Sequence, residues 1–562
     1  MTIMTGSKAY IKALKMEGVT HIFGITGAAL IPVCDDLLDS NIRYIPGVHE
    51  QGSAHMADGY ARASGRPGIV QVTSGPGATN IVTGVATAQL DSSPLVAFTG
   101  QVSMSMVGTD AFQEVDIIGV TASVTKWNYQ VRDPSRIPWA VKAAMHVANT
   151  GRKGAVLVDL PKNVTTESAE MDFDAEVNFL GYRPRIQPDP TELEWAAKVL
   201  SEARQPVIVA GGGVVSAGAG RELTELAELL MAPTATSLMG KGAIPSNHPL
   251  SLGLLGMHGR EEANYLVPDA DVLLVVGSRF SDRTTGALAG FAPEARIIHM
   301  DIDRSEIDKN VESVIKVCGD ARLSIRGLID QIKTIRKAKG GNGEWVHKIE
   351  ELRNSYEEPE DANGVSGPAV IKAIRRALPS DALVTTDVGQ HQMLAALHYD
   401  VYEPGSFLTS GGLGTMGWGT PAAIGAKAAR PDRTVLNISG DGSFAMTENN
   451  LAVAVDEGLP IVVVVLNNRM LGMVAQWQRL FMGGRYSCVK REYTVDFTEL
   501  ARSYGAHGVR AGSIKELDTE LRRAVASDYT TVIDVPIDPE ENVYPMIPPG
   551  MGLKDILTED LP

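Results

Sequence analysis

The stretch Thr434–Asn468 reads TVLNISGDGSFAMTENNLAVAVDEGLPIVVVVLNN, and its two apolar runs decide the fold. Thr434–Ser439 and Ile461–Leu466 are short and rich in valine and isoleucine, the pattern of strands buried on both faces of a parallel sheet. One crossover helix's length of chain separates them, so their carboxyl ends meet at one sheet edge. That edge carries Gly440-Asp441-Gly442-Ser443 after the first strand and Asn467-Asn468 after the second. Asp441 and Asn468 offer hard oxygen donors. These suit Mg²⁺, which takes few protein ligands and completes its octahedron with water and phosphate oxygens. The glycines beside Asp441 let the backbone approach a diphosphate closely, and a helix opening after Ser443 presents free N–H groups. Alone, GDG fits an ordinary strand-to-helix turn; the asparagine pair at crossover distance makes it a candidate metal and diphosphate site.

The same rhythm runs through the chain. Val156–Val158, Val207–Ala210, Val272–Val276, Leu383–Thr386 and Val435–Ile438 read as further buried strands, with amphipathic helical stretches between them. Two breaker-rich stretches, Arg183–Thr191 (RPRIQPDPT) and Lys337–Gly343 (KAKGGNG), read as linkers. They leave blocks at 1–180, 190–335 and 365–545, each large enough for one doubly wound domain, and a tail at 546–562. The expected fold is α/β, three doubly wound parallel-sheet domains.

Composition narrows the function. With 51 Lys+Arg against 67 Asp+Glu, the 562-residue chain carries a net charge of −16, which argues against a nucleic-acid backbone as partner. The most apolar run, Ile461–Leu466, is far short of the ~20 residues that span a bilayer. The opening MTIMTGSKAY lacks the basic and apolar segments of a secretory signal. Cys34, Cys318 and Cys488 are scattered, with no CxxC pair, as in a reducing compartment. A cytoplasmic protein is expected.

GDG followed by NN at this distance resembles the signature of thiamine diphosphate enzymes. Their chemistry requires a carboxylate on a pyrimidine ring nitrogen of the cofactor. Glu50, in Val48-His49-Glu50-Gln51-Gly52 between an expected strand Tyr44–Val48 and an expected helix Ser53–Ala63, resembles that catalytic glutamate. By itself a strand-end glutamate is most often merely solvated. The glycine-rich turn Thr73–Asn80 follows at the family's spacing. In such enzymes the glutamate comes from one subunit and the metal site from its neighbour.

Across nearly the whole chain the sequence resembles the catalytic large subunit of acetohydroxyacid synthase, also called acetolactate synthase. Gly108–Glu114 resembles the substrate-side segment, with Phe112 at the substrate and Gln113 reaching the reacting centre; Ala28 and Lys162 fall at substrate positions. Val388, Gly389, Gln390 and His391 match the diphosphate grip, and Gly414 and Met416 the loop under the pyrimidine. Gly440, Asp441, Gly442, Ser443, Asn468, Met470, Gly472, Met473 and Val474 complete the cofactor set, with Met470 joining Asp441 and Asn468 at the metal. Met473 and Trp477, four apart on a helix, share a face that is more often plain core. In the family the tryptophan shapes the acceptor pocket in favour of 2-oxobutanoate.

The resemblance also implies FAD. Arg152 comes from the first block, and Gly211, Gly212, Gly213, Ser237, Leu238 and Met239 from the middle one. Gly256, Met257, His258, Gly277, Arg279, Asp282, Arg283, Asp301, Ile302 and Asp320 complete that set, at strand ends where N–H groups meet phosphates. The PMIPPG segment, Pro545–Gly550, resembles a tail folded over the active site. The implied reaction decarboxylates pyruvate on thiamine diphosphate and transfers the two-carbon unit to a second pyruvate or to 2-oxobutanoate, the first shared step of branched-chain amino-acid synthesis. A homodimer or dimer of dimers and a separate small regulatory subunit are implied as well. Thr26, Ala28, Ser103 and Asn163 depart from the family's usual residues and bear on the acceptor range. Pyruvate oxidase, sulfoacetaldehyde acetyltransferase and glyoxylate carboligase share much of this pattern, although the last lacks the glutamate; a non-catalytic nucleotide-binding scaffold is the rival outside enzymes.

Overall fold

A computed structural model describes residues 2–184, 186–335, 343–355, 365–491 and 495–559. The chain folds around three six-stranded sheets, parallel throughout and flanked by helices. The first runs in the order Arg43–Pro46, His21–Ile25, Gly68–Val72, Leu95–Gln101, Ala155–Pro161, Trp127–Gln130. The central sheet runs Ser251–Leu254, Thr234–Thr236, Pro206–Ala210, Val272–Val276, Arg296–Asp301, Ile315–Cys318. The third runs Phe407–Thr409, Leu383–Thr386, Val435–Gly440, Val462–Asn467, Thr531–Pro536, His507–Arg510. A small antiparallel pair, Thr2–Thr5 with Ser168–Met171, closes the first unit. The two deciding strands pair in parallel, Leu436 beside Val462 and Gly440 beside Leu466, shifted by one residue from the expected bounds.

In each sheet the winding reverses between two neighbouring central strands, and there the loops beyond their ends diverge and open a crevice. In the third sheet this falls between Leu383–Thr386 and Val435–Gly440, so the loops at Asp387–Gln390 and Gly440–Ser443 face each other. In the central sheet it lies between Pro206–Ala210 and Val272–Val276, and in the first between His21–Ile25 and Gly68–Val72.

Packing links the units unequally. One buried cluster contains Phe23, Ala54, Val70 and Leu157 of the first sheet unit together with Trp418, Ala422, Val463 and Val532 of the third. At its centre helix Glu50–Ser64 crosses helix Gly419–Ala429 with backbone against backbone. A Cβ at Gly59 would lie 2.1 Å from the Ala422 carbonyl oxygen, and one at Gly425 1.8 Å from that of Met56. The central unit has its own core, and Ile547 and Leu553 of the C-terminal segment are buried in it. No helix among the described residues is long and apolar enough to cross a membrane.

Three local differences from the sequence reading have simple causes. Helix Glu50–Ser64 starts three residues earlier than expected because the His49 ring accepts from the Gln51 N–H and caps it, which puts Glu50 in the first turn. The last residues of Arg183–Thr191 already belong to helix Pro190–Glu202, capped by Asp189 with proline at its first position. The helical turn at the GDG motif starts at Asp441 rather than after Ser443, as Asp441–Phe444. The second linker, Lys337–Gly343, lies outside the described residues except for Gly343.

Candidate active site

One cavity of about 990 Å³ runs from the central unit to the third. At its third-unit end the two switch-point loops converge through glycine. A Cβ at Gly440 would lie 2.6 Å from His391 Nδ1, and one at Gly389 2.8 Å from His391 Cε1, so the imidazole sits wedged between them. Burial pushes His391 down to about 3, with a hydrogen bond to the Asp387 backbone opposing; the ring is neutral and its buried Nε2 has no partner among the described residues. Asp387, fully buried, accepts from the N–H groups of Gly417 (2.7 Å), Val388 (3.2 Å) and Gly419 (3.2 Å) and so ties this loop to the one beneath Gly414 and Met416. Ser443 Oγ donates to the Val388 carbonyl at 2.9 Å and closes the turn.

Asp441 supplies the charge. Its Oδ2 is buried without a hydrogen-bond partner among the described residues, and burial raises its carboxyl to about 7. A buried carboxylate oxygen without a donor is costly unless a cation or a proton meets it. Asn468 stands beside it, accepting at Oδ1 from the Met470 N–H at 3.0 Å. No cluster of three or more His, Cys, Asp or Glu with metal spacing exists among the described residues. One carboxylate with amide and backbone oxygens is the donor set that Mg²⁺, still holding phosphate and water, accepts. The residues therefore fit a divalent cation carrying a diphosphate.

Val388, Gly389, Gln390, Gly414, Met416, Gly440, Gly442, Ser443, Met470 and Gly472 also line this end of the cavity. Helix Gly472–Phe481 places Met473, Val474 and Trp477 on its wall.

The other end belongs to the central unit and holds Gly212, Gly213, Ser237, Leu238, Met239, Met257 and His258. Gly277, Arg279, Asp282, Arg283, Asp301, Ile302 and Asp320 line it too. Gly211 and Gly256 do not line it; they serve backbone approach. A Cβ at Gly211 would meet the Gly277 carbonyl oxygen at 2.1 Å, and one at Gly256, where φ is +114°, the Arg283 carbonyl oxygen at 2.0 Å. Arg279 forms no ion pair or side-chain hydrogen bond among the described residues, while burial and then the Arg152 charge lower its pKa. Asp301, at a strand end, is pushed up to about 6 by burial. A half-buried guanidinium with no ion pair among the described residues and a strand-end carboxylate fit a dinucleotide's phosphates and ribose hydroxyls. Arg152 itself is engaged, donating to Glu306 at 2.6 Å, Asp303 at 3.3 Å and Ser92 at 2.9 Å.

The first unit gathers a separate set. Glu50 Oε2 accepts from Asn80 Nδ2 at 2.9 Å. At Gly75, where φ is +61°, a Cβ would lie 2.9 Å from Gln113 Cβ, so glycine admits the Gly108–Glu114 loop to the glutamate's neighbourhood. Gln113 adopts φ 61°, a strained conformation held by its surroundings, as Glu114 accepts from the N–H groups of Gly108 and Thr109. Phe112 is 87% exposed, and Ala28 and Lys162 are exposed as well. Neither Thr26 nor Ala28 takes a positive φ, so the Cβ atoms of these departures carry no backbone strain. None of Glu50, Gln113, Phe112, Ala28 or Lys162 lines the cavity; one chain holds the two residue sets apart.

Sequence reasoning missed a buried ionic joint. Arg62 donates to both Asp58 oxygens (2.9 and 2.7 Å), to Asp91 (2.8 Å) and to the Thr409 carbonyl (2.7 Å). Trp418 Nε1 donates to Asp58 at 2.8 Å and the Gly412 N–H to Asp91 at 2.6 Å. Only the Asp58–Arg62 spacing was visible in sequence; the other partners come from distant segments.

Comparison with known proteins agrees with this architecture. Residues 4–120, 193–328 and 387–535 match, in that order, the N-terminal TPP binding, central and C-terminal TPP binding domains of thiamine pyrophosphate enzymes. The chain is 45% identical to a probable acetolactate synthase large subunit of Methanocaldococcus jannaschii, over 99% of this chain and 95% of that protein. It is 43% identical to the acetolactate synthase large subunit of Corynebacterium glutamicum (98% and 90% covered) and 41% to the acetolactate synthase isozyme 2 large subunit of Escherichia coli (99% of both). Matched end to end at these identities, the chain belongs to the acetolactate synthase large-subunit family of thiamine pyrophosphate enzymes.

Proposed function

We propose that the protein condenses two 2-oxo acids, decarboxylating pyruvate and transferring its two-carbon unit to a second pyruvate or to 2-oxobutanoate. The observation that carries the site reading is the buried, donor-less Asp441 Oδ2 beside Asn468, in a glycine-lined crevice with a neutral His391. When bound there, thiamine diphosphate supplies a thiazolium that stabilises carbanion character. Asp441, Asn468 and the Met470 backbone hold Mg²⁺, and the loops at Val388–His391 and Gly440–Ser443 hold the diphosphate. Met473 and Trp477 shape the acceptor pocket. Glu50, held by Asn80 at a helix start, receives or returns the proton of the pyrimidine, and Gln113 orients the substrate.

Because Glu50 and the cavity lie apart in one chain, the working unit is a homodimer in which each site takes its glutamate from the partner. Arg279 and Asp301 would be among the residues that hold FAD at the central end, in a structural rather than a redox role. A small regulatory subunit joins this large one, in the cytoplasm; that Cys34, Cys318 and Cys488 are free thiols supports the compartment.

The test supplies pyruvate, thiamine diphosphate, Mg²⁺, FAD and a small subunit. Acetolactate is the expected product, and its absence overturns the proposal. Bleaching of flavin at turnover rate marks an oxidase instead. For the shared site, Glu50→Gln and Asp441→Asn chains are unfolded and refolded together. Half the dimers are then mixed, each with one intact site, so about a quarter of wild-type activity returns; no recovery refutes sharing.

A further inference from the structure

Three side-chain amides, all buried, connect the candidate cation ligand Asn468 to the C-terminal segment. Asn468 Nδ2 donates to Gln390 Oε1 at 3.2 Å. Gln390 Nε2 donates to Gln476 Oε1 and to the Glu541 carbonyl, each at 3.0 Å. Gln476 Oε1 also accepts from the Val543 N–H at 2.9 Å, while Gln476 Nε2 donates to the Val543 carbonyl at 3.1 Å and to Met546 Sδ at 3.4 Å. Gly472 leaves room for this line, since a Cβ there would lie 2.0 Å from Gln390 Oε1 and 2.6 Å from Asn468 Nδ2.

An isolated side-chain amide can turn over and exchange its two ends. A backbone cannot. The Val543 N–H must face an oxygen and the Val543 carbonyl a nitrogen, which fixes Gln476. Gln476 Oε1 and the Glu541 carbonyl then both require the nitrogen of Gln390, leaving its oxygen for Asn468. Asn468 must therefore turn Nδ2 away and keep Oδ1 on the side of the Met470 N–H, which demands an oxygen too.

We propose that Gln476 is a positioning residue for the divalent cation, setting through Gln390 which end of Asn468 faces it, so that cation affinity depends on docking of the 541–546 segment. This rests on the reading of Asn468 as a ligand given above. The relay touches no reacting atom, and it gives the C-terminal segment a role at the metal.

The test measures Mn²⁺ affinity from the electron paramagnetic resonance of free Mn²⁺, with thiamine diphosphate saturating. Gln476→Met keeps the volume and removes the relay; the expected dissociation constant rises about tenfold, the low end of what lost outer partners of metal ligands cost. Gln476→Glu, protonated by burial, keeps an acceptor for Gln390 and Val543 and a donor for the Val543 carbonyl, so it stays within about threefold of wild type. A packing role predicts the reverse order, with the apolar isostere tolerated and the carboxyl not. Wild-type affinity in Gln476→Met, or equal losses in both variants, overturns the relay. Should Gln476→Met not fold, a tenfold loss in a folded Gln476→Glu overturns it alone. If the wild-type protein takes up no Mn²⁺ with the cofactor, the site reading itself fails, and the two failures are distinct.

Discussion

Replacing Arg62 by methionine removes the cation from the buried joint between the first and third units and leaves its carboxylates behind. The side chains of Asp58 and Asp91 are wholly inaccessible and that of Arg62 nearly so. Breaking a buried pair by deleting one partner costs about 3–5 kcal/mol, because the surviving charge has lost both water and counter-ion. Here two carboxylates are stranded, with Trp418 Nε1 still donating to Asp58 and the Gly412 N–H to Asp91. In the intact protein burial raises both. For Asp58 the Arg62 charge and hydrogen bonds more than offset it, and the carboxyl lies below its usual range; for Asp91 burial prevails and it lies above.

Without Arg62 both folded pKa values rise above the unfolded value of about 3.9. The deficit is then fully present above the folded values and relieved as pH falls through them, since protonation removes the stranded charge. Thermal unfolding of wild type and Arg62→Met at pH 8.0 and pH 5.5 is the assay. The variant melts lower at both, with a clearly smaller gap at pH 5.5. Adding Asp91→Asn recovers a substantial part of the loss at pH 8.0. A gap that is constant or wider in acid refutes the stranded-charge argument and reduces Arg62 to a packing element.

Other expectations concern single positions. Gly440→Ala drives a Cβ into the wedged His391 ring, which has no room to yield; the cost is about 1–3 kcal/mol by overpacking, and thiamine diphosphate affinity falls at least tenfold in calorimetric titration. Lys241, buried with its ammonium on the Ala396 carbonyl at 2.7 Å, is pushed down to about 8 by burial. Its charge penalty is complete below pH 8 and fades toward pH 10.5, as the unfolded chain holds a proton the folded one has released. Wild type therefore gains about 3 kcal/mol on Lys241→Met between pH 8 and 10.5, read from paired denaturant titrations. Trp477→Leu removes an aromatic side chain from the cavity wall, the proposed acceptor pocket, and cuts the 2-oxobutanoate product share about tenfold in competition with pyruvate, with acetolactate formation retained.

What was legible in the sequence was whatever local chemistry dictates. Val462–Asn467 lies buried on both faces and so had to be continuously apolar. The Asp441 and Asn468 loops were legible because each follows its buried strand directly in the chain. His21–Ile25 and Gly68–Val72 escaped the list of strands because glycine or glutamine interrupts them. Gly24 and Gln71 answer tertiary demands: a Cβ at Gly24 would strike the Gln71 carbonyl oxygen at 1.7 Å, and the Gln71 side chain accepts from the Tyr10 hydroxyl. The same holds for Gln476, whose partners lie in a distant segment, and for Trp418, hydrogen-bonded to a carboxylate far earlier in the chain. Pairings that depend on global topology leave no periodic trace.

The core shared by the first and third units also has a meaning for synthesis. Leu157 and Val532 belong to one apolar cluster, yet the ribosome makes them roughly 20–75 s apart at about 5–20 residues per second. Until the third unit is made, the finished first unit lacks the helix Gly419–Ala429 that packs on Met56 and Gly59 of helix Glu50–Ser64, while the central unit, whose core needs only a C-terminal patch, is already able to close. The nascent chain therefore carries an adhesive face during most of its translation. Heat-shock sensitivity of yield, and its relief by a chaperone that binds apolar surface, should track substitutions on that face more closely than substitutions in the central core.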